Sequence, residues 1–328
     1  MDKLNFSGKR INLSKIWANY SVGVIFGIIV LLSIMVKGRD FFSVTNIVNI
    51  FRNNSIVGII ALGMTFVIIL GGIDLSVGSQ LVGVGTIVVL ILESTSKSFS
   101  PISSILLAVL GGIATGIVLG GLNGLIITKG KVPAFIMTLG TMNIYRSVAQ
   151  YFLRGGGFST TNKSYIRIAN YELFGIIPLP IIYFLVLTFI MHVISKYTRF
   201  GRYIYAVGSN EKAAKLSTIN VNKIKMLTYT LIGLLVGIAA IIETSRMGSI
   251  NPTSSGNFYE MDAISAVVVG GVSMSGGKGM IMGTFFGVLT IGLINNMMTL
   301  MGVPPFLVNA TKGVIIVAAV LLQKKESD

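Results

Sequence analysis

Ten runs of apolar residues follow one another along the chain, separated by short segments rich in polar and charged residues. Because an α-helix rises 1.5 Å per residue, about 20 apolar residues are needed to cross a hydrocarbon core about 30 Å thick. The pattern therefore predicts an all-α polytopic membrane protein with about ten transmembrane helices, of which the third and eighth are the shortest. The predicted spans are 17–36, 45–70, 77–92, 101–127, 133–153, 178–195, 226–245, 261–275, 280–298 and 305–322.

The composition agrees with residence in a membrane. Hydrophobic residues make up 53% of the chain and charged residues only 11%, whereas soluble domains are about 25% charged. The first apolar run is longer than the apolar core of a signal peptide and lacks a small-residue cleavage site, so we expect it to remain as an anchor. The predicted organisation is a cytoplasmic segment 1–16, a transmembrane domain 17–322 and a cytoplasmic tail 323–328.

The net charge of +15 suggests a nucleic-acid-binding protein until the basic residues are placed along the chain. With the N-terminus inside, the inner segments hold 16 Lys and Arg residues and the outer segments hold 7. This bias matches the positive-inside rule, by which basic residues concentrate in cytoplasmic loops. We therefore expect both termini and the loop 196–225 to be cytoplasmic, and we expect no nucleic-acid partner.

Several kinds of chemistry are excluded by what the chain lacks. It has no Cys and a single His, which leaves no thiolate or imidazole cluster for a metal. Gly276, Gly277 and Lys278 resemble part of a phosphate-binding P-loop, but Gly279 stands where that motif needs Ser or Thr. The sequence therefore predicts no catalytic residue, no metal and no cofactor, so that any ATP is bound by a partner subunit.

Two glycine-rich segments interrupt the apolar pattern and resemble each other. The first runs from Gly71 to Ser79 as Gly-Gly-Ile-Asp-Leu-Ser-Val-Gly-Ser, and the second runs from Gly270 to Lys278 as Gly-Gly-Val-Ser-Met-Ser-Gly-Gly-Lys. Aligning the Gly-Gly pairs relates the two segments by an offset of 199 residues. Repeated halves with glycine-interrupted helices are typical of transporters, which suggests internal repeat halves, parallel or inverted.

Polar residues within the predicted spans have two interpretations. A charge such as Asp74 is costly in a bilayer unless it is paired or hydrated, so it caps the third span through free backbone N–H groups, lines a pathway, or does both. Uncharged polar residues in spans ordinarily form interhelical hydrogen bonds, and they also suit the route of a hydroxyl-rich solute. The candidate pathway residues are Asp74, Ser76, Asn123, Asn143, Asn295 and Asn296.

The largest predicted cytoplasmic loop, 196–225, contains a short helix. Ser209 or Asn210 can cap it, and Glu211 in its first turn complements the helix dipole. Such a helix lies either against anionic lipid or in a groove on a cytosolic partner, where Ala213, Ala214 and Leu216 form the packing face.

Three blocks of sequence carry a family resemblance. They are the segment 71–79, the loop segment 201–217, and the segment 263–279 with its Ala-Ile-Ser-Ala-Val-Val-Val-Gly-Gly run. In this order they closely resemble the permease subunits of bacterial ATP-binding-cassette importers for simple sugars, over about residues 41–325. Relatives commonly have Gly after the Leu216-Ser217 pair, where this chain has Thr218, which disfavours a sharp turn there.

The resemblance implies a multi-pass subunit of the bacterial inner membrane that is not itself an enzyme. It implies a homodimer of two permease copies in membrane lipid, a cytoplasmic ATPase and an extracytoplasmic sugar-binding protein. The loop would dock on the ATPase through the coupling residues Gly208, Asn210, Glu211, Ala213, Ala214, Leu216, Ser217 and Asn220.

The implied function is translocation of a simple sugar of the ribose type, driven by the separate ATPase. Another small polar solute stays open as the substrate: a different monosaccharide, autoinducer-2 or a nucleoside. A secondary transporter coupled to protons or sodium is the second hypothesis, and it needs an intramembrane acid, for which Asp74 is the sole strong candidate. A lipid-anchored scaffold is disfavoured by the repeated glycine-rich segments.

Overall fold

The structure is a computed structural model that describes residues 43–325 and, before them, residues 23, 26–31, 33–35, 38 and 41. The predicted segment 1–16, much of the first predicted span and residues 326–328 of the predicted tail lie outside the described residues.

From residue 43 onward the described chain forms twelve α-helices and four strands of two residues each. The helices are α1 (Val44–Ile69), α2 (Val77–Thr95), α3 (Pro101–Lys129), α4 (Ala134–Phe152), α5 (Lys163–Asn170), α6 (Leu179–Tyr197), α7 (Arg199–Ser209), α8 (Glu211–Leu216), α9 (Val221–Met247), α10 (Tyr259–Val269), α11 (Ile281–Leu300) and α12 (Pro305–Lys325). Strand β1 (Phe158–Ser159) pairs antiparallel with β4 (Ser249–Ile250), and β2 (Glu172–Leu173) pairs antiparallel with β3 (Ile177–Pro178).

Six of the described helices are long and apolar enough to cross a membrane, namely α1, α2, α3, α6, α9 and α11. Their ends fall within about five residues of the predicted spans, because the length of an apolar run fixes the length of a spanning helix. Helices α4 and α12 occupy the fifth and tenth predicted spans but are not among the six. The described chain therefore confirms an all-α polytopic membrane protein, while the predicted number of ten crossings is not confirmed.

The eighth predicted span, 261–275, is a half-length helix. Helix α10 has 11 residues and is about 16 Å long, roughly half the thickness of the hydrocarbon core. It ends at Val269 because Gly270 and Gly271 follow, and the chain continues as a glycine-rich loop to Met280. The prediction of one continuous helix across this run, which includes two glycines and three serines, is therefore wrong.

Helices α3 and α9 approach each other closely where glycines of the two helices face one another. On α3, Gly116 and Gly120 face Gly233 and Gly237 of α9, and a Cβ placed on Gly120 would lie 2.8 Å from the Gly233 Cα. Small residues spaced by four let membrane helices approach closely, so that packing and backbone contacts hold the pair together. The many glycines of the sequence thus serve helix contact here.

The connecting segments gather at two faces of the bundle. One face, here called the basic face, carries residues 128–133, 196–225 and 270–280, and the Gly277 N–H donates to the Ile69 carbonyl across 2.8 Å. At the other face, Glu93 accepts from the Thr160 hydroxyl at 3.0 Å, and β1 pairs with β4. Segments that the charge pattern assigns to the same side of the membrane therefore contact one another.

The two glycine-rich segments begin with the same helix ending. At α1, the N–H groups of Gly71 and Gly72 donate to the carbonyls of Ile68 and Val67, and at α10 those of Gly271 and Val272 donate to Val268 and Val267. The left-handed residues are Gly71, at φ +85°, and Gly271, at φ +80°. This ending requires a left-handed residue, usually Gly, just past the helix. Because Gly71 and Gly271 take that position, the two segments align in structure at an offset of 200 residues rather than the predicted 199.

Candidate functional site

The short helix α8 on the basic face begins as the sequence predicts. Asn210 precedes it, and its side-chain oxygen accepts the Ala213 N–H at 3.0 Å. This bond satisfies one of the free amides of the first turn, where Glu211 also complements the helix dipole. Asn220 caps the start of α9 in the same way, because its side-chain oxygen accepts the backbone N–H of Lys223 at 3.0 Å.

Glu211 joins α8 to α9. Its carboxylate oxygens lie 2.7 Å from the Lys215 ammonium and 2.8 Å from the Lys225 ammonium. Hydrogen bonds from Lys215 and then Lys225 lower the pKa of the Glu211 carboxyl, so it is ionised at neutral pH. Exposed pairs contribute little stability, about 0–1 kcal/mol, so the pair with Lys225 chiefly orients α8 against the first turns of α9.

The two sides of α8 face different surroundings. Ala214 is buried against the membrane domain, whereas Ala213 is exposed and Leu216 is 88% exposed. Gly208, just before α8, lies against the Ile69 carbonyl and the Gly277 N–H, where no side chain fits. The membrane domain therefore holds α8 from one side and leaves Ala213, Leu216 and Ser217 on the surface.

A sharp turn ends α8 although Gly is absent there. Thr218 adopts the left-handed conformation with φ +62°. The N–H groups of Thr218 and Ile219 donate to the carbonyls of Lys215 and Ala214 at 3.1 Å each. These two bonds form the same ending as in α1 and α10, so the expectation that Thr218 disfavours the turn is wrong: the hydrogen bonds and the packing of Ala214 outweigh the strain.

Replacing Thr218 with Gly is expected to stabilise this turn by about 0.5–1 kcal/mol. A residue with a Cβ in the left-handed conformation destabilises the fold by about 1–2 kcal/mol, which Gly avoids. Gly loses more conformational entropy on folding, and this loss offsets about half of the stabilisation. Hydrogen exchange of peptides covering 211–220 would measure the change as slower exchange. Ser217→Gly is the matched control, because Ser217 has φ −83° and Gly there should instead speed exchange. Equal exchange rates in the two variants would contradict the strain at Thr218.

Asp74 lies at the centre of a buried polar network near the start of α2. Its carboxylate accepts from the Ser76 N–H at 2.8 Å, the Ser76 hydroxyl at 2.5 Å and the Gln80 amide at 3.3 Å. The Ser76 oxygen in turn accepts from the Asn123 amide at 2.9 Å, and the Asn123 oxygen accepts from the Tyr145 hydroxyl at 2.9 Å. The network therefore joins the α1–α2 loop to α2, α3 and α4.

Of the two interpretations of Asp74, the contacts favour capping. Asp74 accepts the backbone N–H of Ser76, the residue that precedes α2, whereas the Ser76 side chain makes no cap bond of its own. Asp74 is completely buried, so the network satisfies a charged group that would otherwise be costly in the membrane.

The six predicted pathway residues do not form one cluster. Asp74, Ser76 and Asn123 share the buried network, whereas Asn143 lies exposed on α4 with its amide bonded to the Leu139 carbonyl at 3.1 Å. Asn296 exchanges hydrogen bonds with Asn46 of α1, at 2.8 and 3.2 Å. Asn295 is next to it on α11 and lines a small cavity with Asn54 and Asp262.

Three functional candidates were not singled out from the sequence. Gln80 and Tyr145 complete the Asp74 network, and Tyr229 of α9 is buried with a hydroxyl that has no hydrogen-bond partner in the described structure. Gln80 lies one helical turn after Ser76, which is the one sequence signal that points to this contact. Tyr145 and Tyr229 stand in apolar runs, where an aromatic residue ordinarily belongs to the core.

A cavity of about 900 Å³ lies on the basic face beside α8, and we call it the Tyr229 cavity. Its wall comes from the end of α1, the end of α3, the start of α4 and the α8–α9 segment. Polar lining residues are Thr128, Lys131, Glu211, Lys215, Asn220, Asn222, Lys225 and Tyr229. The lining residue Tyr229 is only 1% exposed, and Gly72 lies against its hydroxyl. No cluster of three or more His, Asp or Glu side chains suited to a metal occurs in the part of the chain that the structure describes.

The sequence is similar to known proteins along most of its length. The family of permease components of branched-chain amino acid transport systems matches residues 46–321, which is most of the chain. The chain belongs to this family of transport permeases. No solved structure matches the permease significantly.

Individual relatives of the permease are similar over nearly their whole length. It is 43% identical to the ribose import permease protein of Haemophilus influenzae over 298 residues, and the aligned region covers 90% of each chain. It is 39% identical over 330 residues to the ribose import permease protein of Escherichia coli K12, covering 98% of each. The galactose/methyl galactoside import permease protein of Escherichia coli K12 is 36% identical over 317 residues, or 92% of this chain and 93% of that one.

These matches and the apolar helices establish the protein as a multi-pass inner-membrane permease of an ATP-binding-cassette importer. Membership of the family implies an ATPase and a binding protein as partners. The relatives are transport permeases rather than enzymes.

Proposed function

We propose that this permease forms the pathway for a ribose-type sugar, which an extracytoplasmic binding protein delivers and a separate ATPase drives inward. The similarity to ribose import permeases over 90–98% of the chain carries the proposal. The family description names branched-chain amino acids, but the similar individual relatives are named for ribose, galactose and allose. A sugar is therefore the favoured substrate over an amino acid, and another small polar solute such as autoinducer-2 or a nucleoside stays the alternative.

The proposed arrangement places the basic face in the cytoplasm. The positive-inside rule supports this orientation, because the basic face includes the loop 196–225 with seven Lys and Arg residues. We propose ten crossings with both termini cytoplasmic, related repeat halves, and two permease copies side by side in the lipid. The exposed Asn143 and Ser147 on α4 support a second copy or a water-filled pathway beside them, because polar side chains avoid lipid.

In this arrangement α8 is the contact with the ATPase. Its outward side chains, Ala213 and Leu216, are exposed, while Ala214 and the Glu211–Lys225 pair hold it to the membrane domain. Movement of the ATPase would then reach α9 through Lys225. ATP binds to that partner, so the proposal gives this chain no cofactor and no catalytic residue.

A secondary transporter is less well supported. Such a protein needs an acid that exchanges a proton or holds an ion during transport. Both oxygens of Asp74 already accept hydrogen bonds from Ser76 and Gln80 within a buried network. Asp74 therefore has a structural role that explains its presence without an ion.

Uptake into right-side-out vesicles that contain the permease and its ATPase, with the binding protein outside, would test the substrate and the energy source together. We expect ATP-dependent accumulation of D-ribose, little accumulation of leucine, and no effect of collapsing the proton gradient. Accumulation of leucine instead of D-ribose would overturn the proposed substrate. Uptake that persists without the ATPase would favour an ion-coupled transporter.

Leu216→Ser is expected to lower sugar uptake and ATPase stimulation about tenfold or more while the permease accumulates normally. An exposed Leu adds nothing to the fold, but burying it against a partner contributes about 1.5–3 kcal/mol. Transport in the same vesicles measures uptake, and co-purification measures binding of the ATPase. Lys223→Ser, at an exposed position on α9, serves as the control and should leave both unchanged. Normal uptake by Leu216→Ser would contradict the assignment of α8.

A further inference from the structure

The Tyr229 cavity has the size and lining of a small-molecule site. Its volume of about 900 Å³ falls within the range of about 300–1,000 Å³ that is usual for such sites. Apolar side chains such as Ile73, Ile127 and Phe135 share its wall with amides, hydroxyls and lysines. A sugar presents both apolar C–H faces and hydroxyl groups, so this mixed lining suits it.

Tyr229 supplies an observation that is independent of the cavity. Its hydroxyl oxygen is buried and has no hydrogen-bond partner among the described residues, although a buried hydroxyl without a partner costs about 1–3 kcal/mol. Gly72 lies against this hydroxyl, and both residues line the cavity. This oxygen is covered in the sugar-free structure, so a ligand hydroxyl would supply the missing partner once the covering atoms, Gly72 among them, shift aside.

The charged groups of the lining are partly paired with one another. Glu211 pairs with Lys215 and Lys225, at 2.7 and 2.8 Å, so those ammonium groups already have a carboxylate partner. Thr128 bonds to the Gly124 carbonyl of its own helix at 2.8 Å. The groups left to bind a solute are therefore chiefly the Tyr229 hydroxyl, the amides of Asn220 and Asn222, and Lys131.

The Tyr229 cavity lies between the buried network around Asp74 and helix α8. Its wall includes Ile73, whose carbonyl accepts the Thr138 hydroxyl at 3.2 Å and which is followed directly by Asp74. It also includes Lys225, one helical turn before Tyr229 on α9 and bonded to Glu211 of α8. The cavity thus lies between the buried polar network and the helix that meets the ATPase.

On the basis of the proposed sugar-import function, we propose that the Tyr229 cavity is the cytoplasmic-side binding site of the imported sugar. The Tyr229 hydroxyl is its specificity-determining contact. The occupant is a neutral, hydroxyl-rich solute of monosaccharide size, which leaves toward the cytoplasm past Lys131 and Lys215.

The absence of Cys from the chain permits a direct test with single cysteines. Thr128→Cys places a thiol on the cavity wall, and Lys129→Cys places one on the neighbouring exposed residue, which does not line the cavity. Each variant is studied with its ATPase in inverted vesicles, and a membrane-impermeant maleimide reports the labelling rate. We expect D-ribose to slow labelling of Thr128→Cys in a saturable manner, with no effect on Lys129→Cys and no effect of leucine.

Adding Tyr229→Phe to the Thr128→Cys variant tests the hydroxyl. It should raise the half-maximal D-ribose concentration about 3- to 10-fold, the worth of one hydrogen bond. It should leave the thermal stability of the sugar-free permease unchanged or higher, because the hydroxyl has no partner within the described part of the chain. Tyr183→Phe, whose hydroxyl bonds to the Ile168 carbonyl away from the cavity, is the control and should leave protection unchanged.

Three results would overturn this inference while leaving the import function intact, provided that the right-side-out vesicles accumulate D-ribose. They are no protection of Thr128→Cys by D-ribose, equal protection of Lys129→Cys, and an unchanged half-maximal concentration in Tyr229→Phe. Protection by D-ribose 5-phosphate alone would also overturn it, because the occupant would then be an anion. Failure of D-ribose to accumulate would instead refute the proposed substrate.

Discussion

Gly120→Leu is expected to prevent the permease from accumulating in the membrane. A Cβ at Gly120 already collides with the Tyr229 carbonyl and lies 2.8 Å from the Gly233 Cα, and both are backbone atoms that cannot rotate away. A leucine side chain would force α3 and α9 apart and expose the glycine-lined seam between them. The smaller change Gly120→Ala should destabilise the permease by about 1–3 kcal/mol, as overpacking of a close contact does.

Gly121→Ala is the matched control for this prediction. It lies on the same turn of α3, but a Cβ there would meet only the Thr230 hydroxyl oxygen, at 3.5 Å. Alanine is a better helix former than glycine by up to about 1 kcal/mol, so stability should be unchanged or slightly higher. Thermal unfolding in detergent and the amount of protein in the membrane measure both effects. Equal stability of Gly120→Ala and Gly121→Ala would contradict the close crossing of α3 and α9.

Asp74→Ala is expected to destabilise the permease by at least about 3 kcal/mol. It leaves the Ser76 N–H, the Ser76 hydroxyl and the Gln80 amide with fewer acceptors in a fully buried site, and each lost partner costs about 1–3 kcal/mol. Reduced accumulation and a lower unfolding temperature are the expected measurements. Thr138→Val, which removes the bond to the Ile73 carbonyl at the edge of the network, should cost less than Asp74→Ala.

Asp74→Asn separates a structural role from ion coupling. The new amide keeps an oxygen for both Ser76 donors, and the Gln80 side chain can rotate so that its Oε1 accepts from the new NH₂ group, with loss of the Gln80 bond to the Ser76 hydroxyl. We therefore expect most of the stability and the ATP-driven uptake to remain. If Asp74→Asn accumulated with normal stability but lost all uptake, the carboxylate itself would be functional and the structural interpretation would fail.

Much of the fold was predictable because the bilayer imposes one length scale on every crossing. The bounds of α1, for example, are Val44–Ile69 against a predicted 45–70. The predicted length of the eighth span is wrong because hydropathy counts the apolar residues of a glycine-rich loop as though they continued the helix. The repeat offset of 199 failed for a related reason, since the Gly-Gly pair identifies where a helix ends but not which glycine takes the left-handed position.

The candidate site was predictable only in part. The cap at Asn210 follows from local chemistry, because a side-chain oxygen reaches an amide three residues away. The contact between Ser76 and Asn123 spans 47 residues, and that between Tyr145 and Asn123 spans 22. Such contacts depend on how neighbouring helices are rotated about their axes, which an evenly apolar run does not reveal.

The sequence by itself determined that this is a polytopic helical permease. The lengths of the apolar runs, the bias of basic residues and the three sequence blocks can each be read from the chain without knowing which helices meet. Only the tertiary structure decided that α10 is half-length and that Ala214 faces inward while Leu216 faces outward. It also decided that the Tyr229 hydroxyl lies beside Gly72 without a hydrogen-bond partner among the described residues. The physical reason is that burial and hydrogen bonding depend on which helices meet. In this bundle the glycines of α3 and α9 set how closely two of those helices approach.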